Sequence, residues 1–179
     1  MNQTAFFAYP AAPAQLGETI ERALAQLRAM KDGLAITPWT ALDIAGHFIS
    51  DEVELKVEET DFFVADVTFL NFNVVYELGY AIGLGKRVFT VKNRSFQEVC
   101  PSAKEVGLFD NLGYREYTNS EELRGHLKTF TGENPIDIST SLNFKAPVYL
   151  IETKHKTDWI SRVISRVKKA RRFQGPRAT

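Results

Sequence analysis

The sequence predicts a three-layer α/β fold, a parallel sheet with helices on both faces, and three observations carry that expectation. Short apolar runs alternate with amphipathic segments over most of the chain, the pattern of repeated βα units. The run 61–67 (DFFVADV) is almost continuously apolar, as a central strand covered on both faces requires. The chain has 179 residues, 44 % of them hydrophobic, enough to bury the core of one α/β domain with some chain to spare.

Taken in order, residues 5–9 (AFFAY) read as the first strand, ended by Pro10. Residues 17–30 follow as a helix, with Ile20, Leu24 and Leu27 on one face at helical spacing. Residues 33–37 (GLAIT) are the second strand, and 51–60 the second helix, its Val53 and Val57 facing inward among acids. The central strand 61–67 leads into a helix at 73–84, which Gly83 and Gly85 terminate. Residues 87–91 (RVFTV) form the next strand. A loop-rich stretch at 93–112 precedes a short strand near 114–117 and a helix at 120–130.

Beyond residue 131 the chain turns polar (GENPIDISTS), so residues 1–131 read as one domain and 132–145 as a linker. Residues 146–153 (APVYLIET) then read as a strand. Residues 158–172 read as an amphipathic helix with Trp159, Ile160, Val163, Ile164 and Val167 on one side. This strand-loop-helix repeats the order and length of residues 5–30. It is either the start of a truncated second domain, a helix packing back on the first domain or a partner, or a βα unit extending the first sheet.

Composition excludes several functions. Net charge is zero, so the molecule as a whole is not a nucleic-acid binder by charge. The charge is uneven: residues 150–179 carry nine Lys/Arg and two acids, a basic stretch that more often marks the solvated face of a helix than a polyanion site. The single cysteine, Cys100, excludes an internal disulfide and fits a reducing cytoplasm. Residues 1–4 lack the basic opening of a secretory leader, so a cytoplasmic protein is expected. The apolar run 67–85 holds two Asn, a Thr, three Gly and a central Glu, which suits a buried element rather than a membrane span. His47, His126 and His155 are far apart and lack partner spacing, so no metal site is expected, nor any dissociable cofactor.

Glu77 is the only charged residue in that run of nineteen. A carboxylate in such surroundings is costly to bury unless neutralised or hydrogen-bonded, and tends to sit where its chemistry is used. In open parallel sheets, ligands bind beyond the carboxyl ends of the strands. Three loops converge there in this reading, at 10–16, 39–49 and 68–73. Glu77 falls in the first turn or two of the helix after the third loop, with Asn71 or Asn73 as its cap. The helix's positive end favours its ionised form and apolar neighbours oppose it.

Residues 61–68 (DFFVADVT), 73–81 (NVVYELGYA) and 85–88 (GKRV) resemble the nucleoside 2-deoxyribosyltransferase family and its relatives, the 2′-deoxynucleoside 5′-phosphate N-hydrolases. The resemblance runs from residue 5 to 91 and is motif-grade over 61–91. It implies a flavodoxin/Rossmann-like sheet, a fold shared, with the acidic residue on this helix, by TIR-like domains that cleave NAD. It also implies cleavage of a C1′–N bond through an oxocarbenium-like state, with Glu77 as the nucleophile, the logic of retaining glycosidases. A second acid from the preceding helix assists the leaving base; Asp51, Glu52 and Glu54 are open to that role, and Asp51 is taken first. Asp66, Asn71 and Asn73 are candidates for holding the substrate, and Tyr9 and Trp39, with Phe6, for stacking on a base or nicotinamide. Each of these has a plainer alternative as cap, loop bond or core.

The implied partner is a nucleoside, nucleotide or NAD-like small molecule, with a homo-oligomer completing the pocket. One departure stands out. The loop after the first strand (YPAAPAQLG) is short of N–H donors because its two prolines have none, which argues against a 5′-phosphate site. Two other functions remain open: a TIR-like NAD glycohydrolase in signalling or defence, and a non-catalytic nucleotide-binding or assembly module.

Overall fold

A computed structural model describes residues 3–30, 34–43, 49–96, 112–130 and 135–136. The chain divides into two units, Met1–Ser139 and Thr140–Thr179, and every described residue belongs to the first. The expected strand and helix of residues 146–179, most of the expected linker, and Cys100, His47 and His155 lie outside the described residues.

Five strands form one sheet: β1 (Gln3–Ala8), β2 (Leu34–Pro38), β3 (Phe62–Asp66), β4 (Arg87–Asn93) and β5 (Arg115–Tyr117). All neighbouring pairs are parallel, in the order β2-β1-β3-β4-β5. This is the flavodoxin-like order, with its switch point between β1 and β3. There the chain, having moved outward from β1 to β2, returns and proceeds the other way.

Alternation along the strands builds two cores. Ala5, Phe7, Phe62, Val64, Phe89 and Val91 face α1 (Ala14–Ala29) and α4 (Ser120–Thr129), meeting Leu16, Ile20, Leu24, Leu123 and Leu127. Phe6, Ala8, Phe63 and Ala65 face the other way, against Val53 and Val57 of α2 (Ile49–Glu59) and Val74, Leu78 and Ala81 of α3 (Phe72–Gly83). Phe6, Phe7, Phe62 and Phe63 are completely buried, each stabilising the fold by about 2 kcal/mol. Strands buried on both faces explain why β3 reads as a run rather than an alternation. The α/β three-layer architecture anticipated from sequence is therefore the one observed.

Several boundaries differ from the sequence reading, each for a local reason. α1 begins at Ala14, three residues early, because Pro13 supplies an extended cap residue (φ −74°, ψ 153°) straight before it. β4 continues to Asn93, where its partner β5 still pairs Asn93 with Tyr117. Arg94–Phe96 then forms a 3-10 turn, as does Trp39–Ala41. The apolar run 67–85 resolves into a loop and the twelve-residue α3; among the described residues no helix is long and apolar enough to cross a membrane.

Candidate active site

α2 and α3 both start at the carboxyl edge of the sheet and pack side by side, and a cleft of about 270 Å³ opens between their first turns. It is lined by Ile49, Ser50 and Val53 from α2 and by Asn73, Tyr76 and Glu77 from α3. The start of α3 is fixed by Asn71, whose Oδ1 accepts the backbone N–H groups of Asn73 and Val74 at 3.0 and 3.2 Å. With the cap set there, Glu77 falls in the second turn, one turn below Asn73 and beside the core residues Val74, Leu78 and Ala81.

Glu77 is half-buried, and among the described residues no cation or hydrogen-bond donor reaches it. Burial pushes its carboxyl up to about 7. Of the two influences named from the sequence, the one that raises it is loss of water around the charged form. The result is a carboxyl that titrates near neutrality and faces an open cleft.

The other predicted site residues are placed as follows. Asn73 is exposed and lines the cleft. Asn71 spends its side-chain oxygen on the α3 cap. Asp51 is exposed in the first turn of α2, accepts from Ser50 Oγ at 3.2 Å, and is absent from the cleft lining. Glu54 is closer to the cleft, because its Oε1 accepts the hydroxyl of Tyr76 at 2.6 Å.

Asp66 is completely buried at the end of β3. Its Oδ1 accepts from Thr68 N at 2.9 Å and its Oδ2 from the Tyr117 hydroxyl at 2.7 Å. Burial raises its carboxyl to about 6, offset by the Thr68 and Tyr117 hydrogen bonds. These contacts make it a tie between β3 and β5 rather than a wall of the cleft.

Tyr9 belongs to the α1 side of the sheet. It is almost fully buried, and its hydroxyl bonds Glu21 at 2.5 Å and Thr40 at 3.2 Å, with burial pushing its pKa well up. Trp39 meets the Tyr9 ring edge-on at 5.9 Å; its indole N–H is buried and has no hydrogen-bond partner among the described residues. The structure thus brings Glu77 and Asn73 together and leaves Tyr9, Trp39 and Asp66 elsewhere.

Ser50, Ile49 and Tyr76 line the cleft without having been singled out from sequence. The signal for Tyr76 was present: Tyr76 and Tyr80 share the four-residue spacing of Glu54 and Glu58, which puts each pair on one helix face. Among the described residues no group of three or more His, Cys, Asp or Glu is placed to hold a metal ion.

No protein-family model matches the chain, and no curated protein matches it. Solved structures to which the chain is similar include three distant ones. A CMP N-glycosidase, BcmB, of Clostridium botulinum is 19 % identical over 72 % of this chain and 99 % of its own, with a TM-score of 0.49. A conserved protein from Enterococcus faecalis V583 is 17 % identical over 72 % of this chain and 98 % of its own, also at 0.49. A flavodoxin-like domain from a Synechococcus species is 12 % identical over 70 % of this chain and 94 % of its own, at 0.38.

Proposed function

We propose that the chain cleaves an N-glycosidic bond, acting on a nucleoside or nucleotide with Glu77 beneath the anomeric carbon. The observation that carries this reading is the half-buried Glu77 carboxyl, unpaired among the described residues, in a cleft between two helix starts at the carboxyl edge of the sheet. A carboxylate deprived of water and of a counter-cation attracts a developing cation more strongly than one in solvent. An oxocarbenium-like sugar is such a cation.

In the proposed reaction the C1′–N electron pair leaves with the base, which takes up a proton. The Glu77 carboxylate stabilises the cation or closes on C1′ as an ester. Water then adds at C1′ and gives up a proton, or a second base attacks the same carbon and the result is transfer. The motif around Glu77, NVVYELGYA, supports the same assignment through its resemblance to deoxyribosyltransferases.

The test is incubation with 2′-deoxynucleosides, 2′-deoxynucleotides and NAD, with products resolved by chromatography. Free base from a deoxynucleoside or its phosphate is expected, and Glu77→Gln, which keeps the shape and removes the charge, abolishes its release. Nicotinamide from NAD alone would move the assignment to the TIR-like reading. A Glu77→Gln variant at near wild-type rate would refute it.

A further inference from the structure

Tyr76 and Tyr80 lie one turn apart on α3, and Glu54 and Glu58 one turn apart on α2. Each hydroxyl crosses to the carboxylate 22 positions earlier, Tyr76 to Glu54 at 2.6 Å and Tyr80 to Glu58 at 2.5 Å. The two rings are nearly parallel, 11° apart with centroids 6.3 Å apart. Both helices run from the carboxyl edge of the sheet, so the same 22-residue offset carried one turn further toward that edge would set position 50 against position 72. That third rung has no hydroxyl on the α3 side to close it, and here the cleft opens.

Around this open rung Phe72 is 75 % exposed, Tyr76 55 % and Ile49 52 %. Three large apolar side chains at one end of a helix pair are unfavourable in water unless something covers them. Tyr76 differs from the other two in being held: its hydroxyl is bonded to Glu54 and its ring is stacked on Tyr80, so its orientation is set before a ligand arrives. It also lines the same cleft as Glu77, the residue next to it in the chain.

We propose that the heteroaromatic leaving group of the substrate lies in this open rung against the ring of Tyr76, and that Glu54 is a positioning residue that fixes the ring. The inference rests on the N-glycosidase reading and adds the subsite for the base. A flat π-system is the ligand chemistry it takes, because every nucleobase has a face to stack and stacking tolerates differences at the base edge. Tyr76 therefore favours larger ring systems over smaller ones without reading their hydrogen-bonding groups.

The experiment measures kcat and KM on 2′-deoxyadenosine and 2′-deoxycytidine for the wild type, Tyr76→Ala, Tyr76→Phe, Glu54→Gln and Glu54→Ala. Stacking losses on alanine substitution predict that Tyr76→Ala raises KM by roughly five- to hundredfold, more for the purine than for the pyrimidine, with kcat little changed. Tyr76→Phe keeps most of the affinity. Glu54→Gln, which still accepts the Tyr76 hydroxyl, stays near wild type, whereas Glu54→Ala raises KM in the same purine-weighted way. Equal losses on both substrates, a loss in kcat alone, or no change overturns the platform.

If the wild type releases base from no substrate, the N-glycosidase reading itself fails. The platform is then decided by calorimetric titration of 2′-deoxyadenosine into Glu77→Gln and into Glu77→Gln/Tyr76→Ala. A weaker second titration supports it, and equal or undetectable binding in both overturns it. If Tyr76→Ala does not fold, Tyr76→Leu, apolar but without a π face, carries the same comparison.

Discussion

Tyr117 donates its hydroxyl hydrogen to Asp66 Oδ2 at 2.7 Å, joining the end of β3 to the end of β5 across the strand between them. Both residues are completely buried. On the other carboxylate oxygen sits the backbone N–H of Thr68, whose own hydroxyl oxygen accepts from Asn93 N at 2.7 Å. The loop that leads from β3 into α3, and so to Glu77, is thus anchored at its first residues by a buried polar chain.

Removing the Tyr117 hydroxyl tests that anchor. Tyr117→Phe leaves Asp66 buried with one donor fewer, at a cost of about 1–3 kcal/mol for a hydrogen bond to a charged group. The cost depends on pH. Asp66 is raised to about 6 by burial, and the Tyr117 bond is one of the influences holding it down, so the variant's Asp66 titrates higher still. The gap between wild type and variant therefore widens as pH rises through about 6 and narrows at pH 5, where the acid is neutral. Urea unfolding at pH 5 and pH 8 measures both values.

Under the proposed function, Glu77 sets the pH dependence of the reaction. A nucleophilic or cation-stabilising carboxylate works only when ionised, and burial has pushed this one up to about 7. The expected kcat/KM climbs about tenfold per unit below pH 7 and levels off above it, since this parameter reports the free enzyme. A falling limb across the same range would mean that Glu77 acts as a proton donor.

The same group bears on stability with a definite sign. Its carboxyl moves from 4.5 to about 7 on folding, so between those values the folded state holds the proton more tightly and stability falls as pH rises. Above pH 7 the penalty is complete. Glu77→Gln removes it, and the variant is expected to be more stable than wild type at pH 8 by on the order of 2 kcal/mol once partial solvent access is allowed for. At pH 4 the two should be nearly equal. Thermal melts at the two pH values read the difference, and a destabilised variant at pH 8 would contradict the uncompensated burial of Glu77.

The fold was legible because strands buried on both faces read as short apolar runs, with apolar residues at helical spacing between them. Phe6 and Phe7, adjacent in sequence, enter opposite layers, and Ile20, Leu24 and Leu27 share one. Glu77 was legible as a candidate because a lone charge in an apolar run is unusual by itself. The remaining site candidates were ambiguous for a physical reason: polar residues at strand ends and helix starts serve binding or structure with the same atoms. Asp66 and Asn71 have their side-chain oxygens engaged by the protein, and Tyr9 has its hydroxyl engaged. Tyr76 escaped notice because the matching spacings of Tyr76/Tyr80 and Glu54/Glu58 gain meaning only once the two helices are known to pair.

Asn71 allows the two uses to be separated by substitution. Its Oδ1 accepts two backbone N–H groups at the start of α3, so the cap needs an acceptor, and the amide's N–H₂ takes no part in it. Asn71→Asp keeps the acceptor and adds a negative charge at the positive end of the helix, so stability should hold or improve slightly. Asn71→Ala loses the cap and should cost about 1 kcal/mol. Because α3 carries both Glu77 and Asn73 into the cleft, fraying of its first turn lowers kcat/KM in the alanine variant, and Asn71→Asp retains it. Were Asn71 a substrate donor instead, the aspartate variant would fold normally and raise KM as much as the alanine. Denaturation and steady-state kinetics on the two variants distinguish these outcomes.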